Sequence, residues 1–159
     1  ERLALGSNRM TAVGAKVLFK VMRYHKNLIM LDIGMYKATG DMGELPNNLK
    51  DEGVKHITDF IENNNYLKVL DITQNSITEA GMNKIAESMK KNNTLLYIYY
   101  DQYGSNLSKT VKTSMKETME RNIKVQLNIS FKDFHKKNLR LMKHTPDILK
   151  IDSIYRNRM

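Results

Sequence analysis

Cysteine is absent from the 159 residues, which excludes a disulfide scaffold, a thiolate metal site and a thiol nucleophile. Long apolar runs are also lacking. Leu28-Ile29-Met30-Leu31 is typical of the longest, against about 20 residues needed to span a bilayer, so no membrane insertion is expected. No basic-then-apolar segment opens the chain. The chain starts at Glu1 and Leu3 already sits within a pattern, which reads as a piece of a longer or processed protein. The missing signal is therefore weak grounds for placing it, and an intracellular, cytoplasmic setting is the expectation. His25, His56, His135 and His144 stand apart, with no His-x-x-x-His or His-Glu pair, so no metal site is expected. There is no Gly-x-Ser-x-Gly, and Gly40-Asp-Met-Gly43 lacks the Gly-Lys-Ser/Thr of a phosphate loop. No catalytic residue and no cofactor is expected, and the chain does not read as an enzyme.

Apolar residues make up 41% and charged residues 27%, enough apolar content to bury one domain's core. Net charge is +9. Such a surplus fits nucleic acid, an anionic membrane or an acidic protein. It is uneven: from Phe131 to Met159 eight Lys and Arg face three Asp, a net +5 in 29 residues. Lys136, Lys137 and Arg140 are the candidate contacts of this basic tail.

An internal repeat organises the rest. Leu67-x-x-Leu70-x-Ile72-x-x-Asn75-x-Ile77-Thr78-x-x-Gly81-x-x-x-Ile85-x-x-x-Met89 leads to Leu95, 28 residues after Leu67, where Leu95-x-x-Ile98-x-Tyr100 opens the next unit. Leu3-x-Leu5-x-x-Asn8-x-Met10-Thr11-x-x-Gly14 is in the same phase. The second unit begins at Leu28 and runs 39 residues, 11 more than the period, with the insertion near 34–44. Phase returns at Gly53, Ile57 and Ile61. A fourth unit places Val111, Met115 and Met119 at helical spacing up to Asn122. The alternation Val125-Gln-Leu127-Asn-Ile129 then predicts a fifth strand.

Each position has a physical reason. Leu-x-Leu is a short strand with one apolar side. The Asn after it can bond backbone groups and turn the chain out of the strand. Thr11, Asp51 and Thr78 are expected helix N-caps. Gly81, Ile85 and Met89 form one helix stripe, Gly allowing close approach. Met10, Met22, Met82, Met89, Met115 and Met119 are expected as core filler. Asn63–Asn65 and Asn92-Asn93 are expected helix exits with left-handed backbone. Strand and helix bury their apolar faces only by stacking unit on unit.

These units resemble ribonuclease-inhibitor-type leucine-rich repeats over roughly Leu3 to Ile129. That superfamily also supplies repeats to NOD-like receptors, Ran GTPase-activating proteins and tropomodulin-like actin-capping proteins. The resemblance implies an α/β fold, a right-handed solenoid with parallel strands on the concave face and helices on the convex face. Residues 1–129 are then the repeats, with four to five strands. Residues 130–159, broken by Pro146, are a basic C-terminal cap or tail.

The resemblance also implies binding of a protein partner on the concave face. If Leu67, Leu70 and Ile72 point inward, then Val69 and Asp71 point out, as do Met30 with Asp32, Tyr97 with Tyr99, and Gln126 with Asn128. Asp101 follows at the strand exit. Tyr36, on the insertion, is a further candidate contact, because loops that break a repeat period often carry function. Paired carboxylates at Asp32 and Asp71 could do acid–base chemistry, but a partner contact or a solvated face is the stronger reading. The expected function is thus a non-enzymatic protein-interaction module. Regulation of a small GTPase or of actin is an alternative by family analogy. Nucleic-acid or anionic-surface binding through the tail is another, but the acidic and aromatic strand face argues against a nucleic-acid groove.

Overall fold

Three-residue strands make too few ladder hydrogen bonds to hold their own register. The computed structural model describes residues 1–35, 43–101 and 107–138, and it contains four such strands alternating with helices. In chain order they are β1 (Arg2–Ala4), α1 (Ala12–Met22), β2 (Met30–Asp32), α2 (Lys50–Asn63), β3 (Val69–Asp71), α3 (Glu79–Lys91), β4 (Tyr97–Tyr99), α4 (Lys109–Leu127) and α5 (Phe131–Asn138). The strands form one parallel sheet in the order β1-β2-β3-β4. Register aligns Arg2, Met30, Val69 and Tyr97 in one row, then Leu3, Leu31, Leu70 and Ile98, then Ala4, Asp32, Asp71 and Tyr99. The helices stack in sequence, α1 on α2, α2 on α3, α3 on α4.

The middle row supplies the core. Leu31, Leu70 and Ile98 are fully buried and join Ala15, Ile57, Ile85 and Met115 from the helices in one cluster. Each such Leu, Ile or Met side chain contributes about 1.5–3 kcal/mol relative to exposure. Met82, Met89, Met115 and Met119 are buried filler, while Met10 and Met22 are partly buried against the core. The helix glycines mark tight contacts, since a Cβ on Gly81 would press against Ile77 and against Val54 of the preceding helix.

Asparagine side chains bind one unit to the next. At the helix exits, Asn64 Nδ2 donates to Met22 O and Arg23 O, Asn92 Nδ2 to Ile61 O and Asn64 O, and Asn122 Nδ2 to Asn92 O and Leu95 O. At the strand exits, Asn47 Nδ2 donates to Leu5 O and Ile33 O, and Asn75 Nδ2 to Ile33 O and Ile72 O. All five residues are buried. Asn64 and Asn92 have extended backbone, with φ of −98° and −99°. The expected left-handed exit is therefore replaced by a side-chain bridge between units.

Two other sequence expectations change. Asp51 is not an N-cap, because α2 already starts at Lys50 after Leu49. Its carboxylate instead accepts the Thr78 N–H at 2.9 Å and hydroxyl at 2.5 Å, fastening the start of α3. Glu79 repeats the device one unit on, accepting the Ser108 N–H at the start of α4 at 3.2 Å. The fifth strand is absent. The helix stripe of Met115, Met119 and Ile123 continues through Asn122, and α4 runs to Leu127, ending at Asn128 in left-handed conformation. Val125 and Leu127 are exposed, and of the alternating residues only Ile129, beyond the helix end, packs partly against the core.

Asn92→Ala should cost about 3 kcal/mol in urea unfolding. It strands two buried carbonyls and frees the Thr94 and Leu95 N–H groups that Asn92 Oδ1 accepts. The exposed neighbour Asn93→Ala should stay within about 0.5 kcal/mol of the parent. Equal costs at the two positions would refute the bridging role.

Candidate functional site

Alternation along each strand sends the first and third rows to the face opposite the helix layer. That face carries most of the residues expected to meet a partner. Burial alters their roles. Met30, Asp32, Val69, Asp71 and Tyr97 are all buried, so the expectation that they stand out to solvent is corrected.

The causes are visible for several of them. Tyr97 is covered by α5: its ring centroid lies 6.1 Å from Phe131, 6.5 Å from Phe134 and 5.0 Å from His135. The residue order explains this. Phe131, Phe134 and His135 recur at i, i+3 and i+4, one stripe of a short helix. Ser130 starts that helix, its hydroxyl accepting the Asp133 N–H at 3.0 Å and donating to Asp133 Oδ2 at 2.6 Å. His135, isolated in sequence, is thus a packing partner of Tyr97 and Phe131. Asp32 and Asp71 are neighbours in register, as the repeat phase implied. Asp32 Oδ1 accepts the Gly34 N–H, while Asp71 Oδ1 accepts the Thr73 N–H and hydroxyl. These bonds turn both carboxylates onto their own strand exits. A side chain at Gly34 would collide with Asp71 and Thr73, so glycine keeps that exit close-packed.

Tyr99 and Asp101 remain partly exposed at the β4 end of this face. Tyr99 meets Tyr97 edge-on at 4.8 Å. Asp101 accepts the Gln74 backbone N–H at 2.9 Å and Nε2 at 3.1 Å, tying the β3 exit to the β4 exit. Burial, with Tyr97 beside it, pushes the Tyr100 phenol above its usual range.

Gln126 and Asn128 do not lie on the strand face, because they belong to the end of α4. Gln126 Oε1 accepts from Lys68 Nζ at 2.6 Å, and its Nε2 donates to Asn93 O. Burial holds the Lys68 ammonium below its usual range. Lys136 is exposed on α5. Tyr36, Arg140 and the side chain of Lys137 lie outside the described residues. Among the described residues, no group of three or more His, Asp or Glu is placed to hold a metal, and no helix is long and apolar enough to cross a membrane.

A family model of the leucine-rich repeat matches residues 63–86, which span the α2 exit, β3 and most of α3. The chain carries a leucine-rich repeat. No curated protein sequence matches it. Among solved structures it is similar to the actin-binding site 2 (ABS2) of leiomodin-1, with a TM-score of 0.64 and 17% identity over 87% of this chain and 71% of that one. It also aligns with the tropomodulin C-terminal domain of Caenorhabditis elegans, at a TM-score of 0.44 and 15% identity over 80% of this chain and 87% of that one. The first of these supports a leucine-rich-repeat fold; at this identity the likeness concerns fold alone.

Two features of the surface are not legible in the repeat pattern. Nothing in its own unit marks Gln74, whose partner Asp101 lies 27 residues on. Val13, Val17 and Val21 of α1 are exposed, interleaved with the residues that keep the repeat phase.

Tyr97→Ala should destabilise the protein by about 3 kcal/mol, because it empties a contact shared by β4 and α5. Asp101→Ala, at a partly exposed site, should cost about 1 kcal/mol or less. Chemical unfolding of both variants checks the ordering. The reverse order would mean that α5 does not seal the β4 row.

Proposed function

We propose that this chain is a non-enzymatic protein-interaction module, built from repeat units stacked as a right-handed, ribonuclease-inhibitor-like solenoid. Its contact surface is the exit edge of the strand face, centred on Tyr99, Asp101 and Gln74. The observation that carries this reading is the partial exposure of Tyr99 and Asp101 where Val69, Asp71 and Tyr97 beside them are buried. An aromatic ring with a polar tip beside a carboxylate, held by a rigid sheet, is a favourable hot spot. The buried rows beneath act as support that fixes the geometry of the edge. In this reading α5 begins a C-terminal cap over the last repeat.

Actin is the first partner to test, because the leiomodin-1 structure of similar fold is described as an actin-binding site. Regulation of a small GTPase has no such likeness behind it. Of the three candidate contacts for nucleic-acid or anionic-surface binding through the tail, only the side chain of Lys136 lies among the described residues, and it is exposed.

Co-sedimentation with actin filaments and calorimetry with actin monomers test the partner. Binding should weaken by about tenfold or more, some 1.4 kcal/mol, in a Tyr99→Ala/Asp101→Ala double variant whose thermal unfolding confirms folding. Wild-type protein that binds neither form of actin removes actin as partner. Binding that the double variant leaves unchanged removes the exit-edge assignment.

A further inference from the structure

We infer that α1 carries a second interaction surface, at the opposite edge of the sheet from Tyr99, that receives an acidic amphipathic helix of a partner protein. Val13, Val17, Val21 and Tyr24 are 75%, 61%, 62% and 76% exposed. Their spacing of four, four and three places them on one stripe of the helix and its exit turn. Leu18 and Met22, next to this stripe, are only partly buried. Four large exposed apolar residues in one line mark a contact surface in a way that scattered ones do not.

Comparison between units shows that this stripe is peculiar to α1. Aligning Gly14, Gly53 and Gly81 puts Glu52, His56, Phe60 and Asn63 of α2, and Ala80, Lys84, Ser88 and Lys91 of α3, at the same four positions. Only the third position is buried in those units, as Phe60 and Ser88. Phe60 is covered by Phe19 of the preceding unit, ring centroids 5.1 Å apart. A regular repeat ahead of α1 would therefore cover Val21 and leave Val13, Val17 and Tyr24 in water. The occupant must run along the outer side of α1, as a helix laid beside it would.

Charge fixes its chemistry. From Arg2 to Leu31 the chain has six Lys and Arg and no Asp or Glu. Lys16 and Lys20 are exposed, one residue before Val17 and Val21 respectively. A helix bringing leucines to the valine stripe and glutamates to these lysines matches both features. A second copy of this chain would bring the same cations against themselves.

The test titrates the protein into two labelled helical peptides of about 18 residues that share one leucine stripe, one flanked by Glu and the other by Lys. The Glu peptide should bind, more weakly as salt rises, and the Lys peptide should not. Val17→Ser/Val21→Ser should weaken binding at least about tenfold, and Lys16→Glu/Lys20→Glu should reverse the preference between peptides. All four positions are exposed, so unchanged thermal unfolding is expected; Val13→Ser/Tyr24→Ser is the reserve pair. Tyr99→Ala should leave peptide binding intact, which separates this surface from the exit edge. Three results would overturn the inference: equal or absent binding of the two peptides, a valine-dependent dimer in ultracentrifugation, or valine-dependent binding to phosphatidylcholine/phosphatidylserine vesicles without peptide binding.

Discussion

The buried asparagine amide that reaches from one unit to the backbone of the unit before it is the interaction on which this structure depends. Strands of three residues make few ladder hydrogen bonds, and apolar burial is non-directional. Asn64, Asn92 and Asn122 at the helix exits, and Asn47 and Asn75 at the strand exits, supply the missing direction. Each satisfies carbonyls that stacking would otherwise bury without partners. The acceptor oxygens of Asn64 and Asn92 also hold the N–H groups that lead into the next strand. Asp51 and Glu79 do the corresponding work at the helix starts. Stacking is thus fastened by polar bridges at helix starts, helix exits and strand exits, around a core that is otherwise apolar.

That fastening has a consequence for function. From β2 to β4 the outward rows are mostly buried and serve as structure rather than as surface. Asp32 and Asp71 are spent on their own loop backbones, and Tyr97 is spent on α5. From β2 to β4, what remains partly exposed on that face lies at the exit edge, while Arg2 on β1 is exposed. At the other edge of the sheet, α1 presents valines where the inner helices carry mostly polar groups. The two proposed contact surfaces, around Tyr99 and Asp101 and along the valines of α1, lie at opposite ends of the described stack.

Much of this was legible in the residues. The 28-residue phase placed the strands at Met30–Asp32, Val69–Asp71 and Tyr97–Tyr99 and identified Ile57, Ile85, Met89 and Met115 as core. The phase is readable because one geometric slot recurs, and each slot tolerates few residue types. The reading failed where one local pattern served two structures. Val125-Gln-Leu-Asn-Ile alternates like a strand, yet the stripe of Met119 and Ile123 carries α4 through it, since helical burial continued and no strand burial was on offer. Asp51 resembles an N-cap in sequence, but its partner, Thr78, lies 27 residues away.

The sequence by itself determined the repeating α/β unit, its period, its buried stripe and the absence of thiol chemistry, because these follow from the order of apolar and polar residues along the chain. Only the tertiary structure decided which outward residues stay accessible. Exposure is a property of neighbours: α5 folding over Tyr97 and the bare outer side of α1 each depend on what packs there, and no spacing within a single unit encodes that.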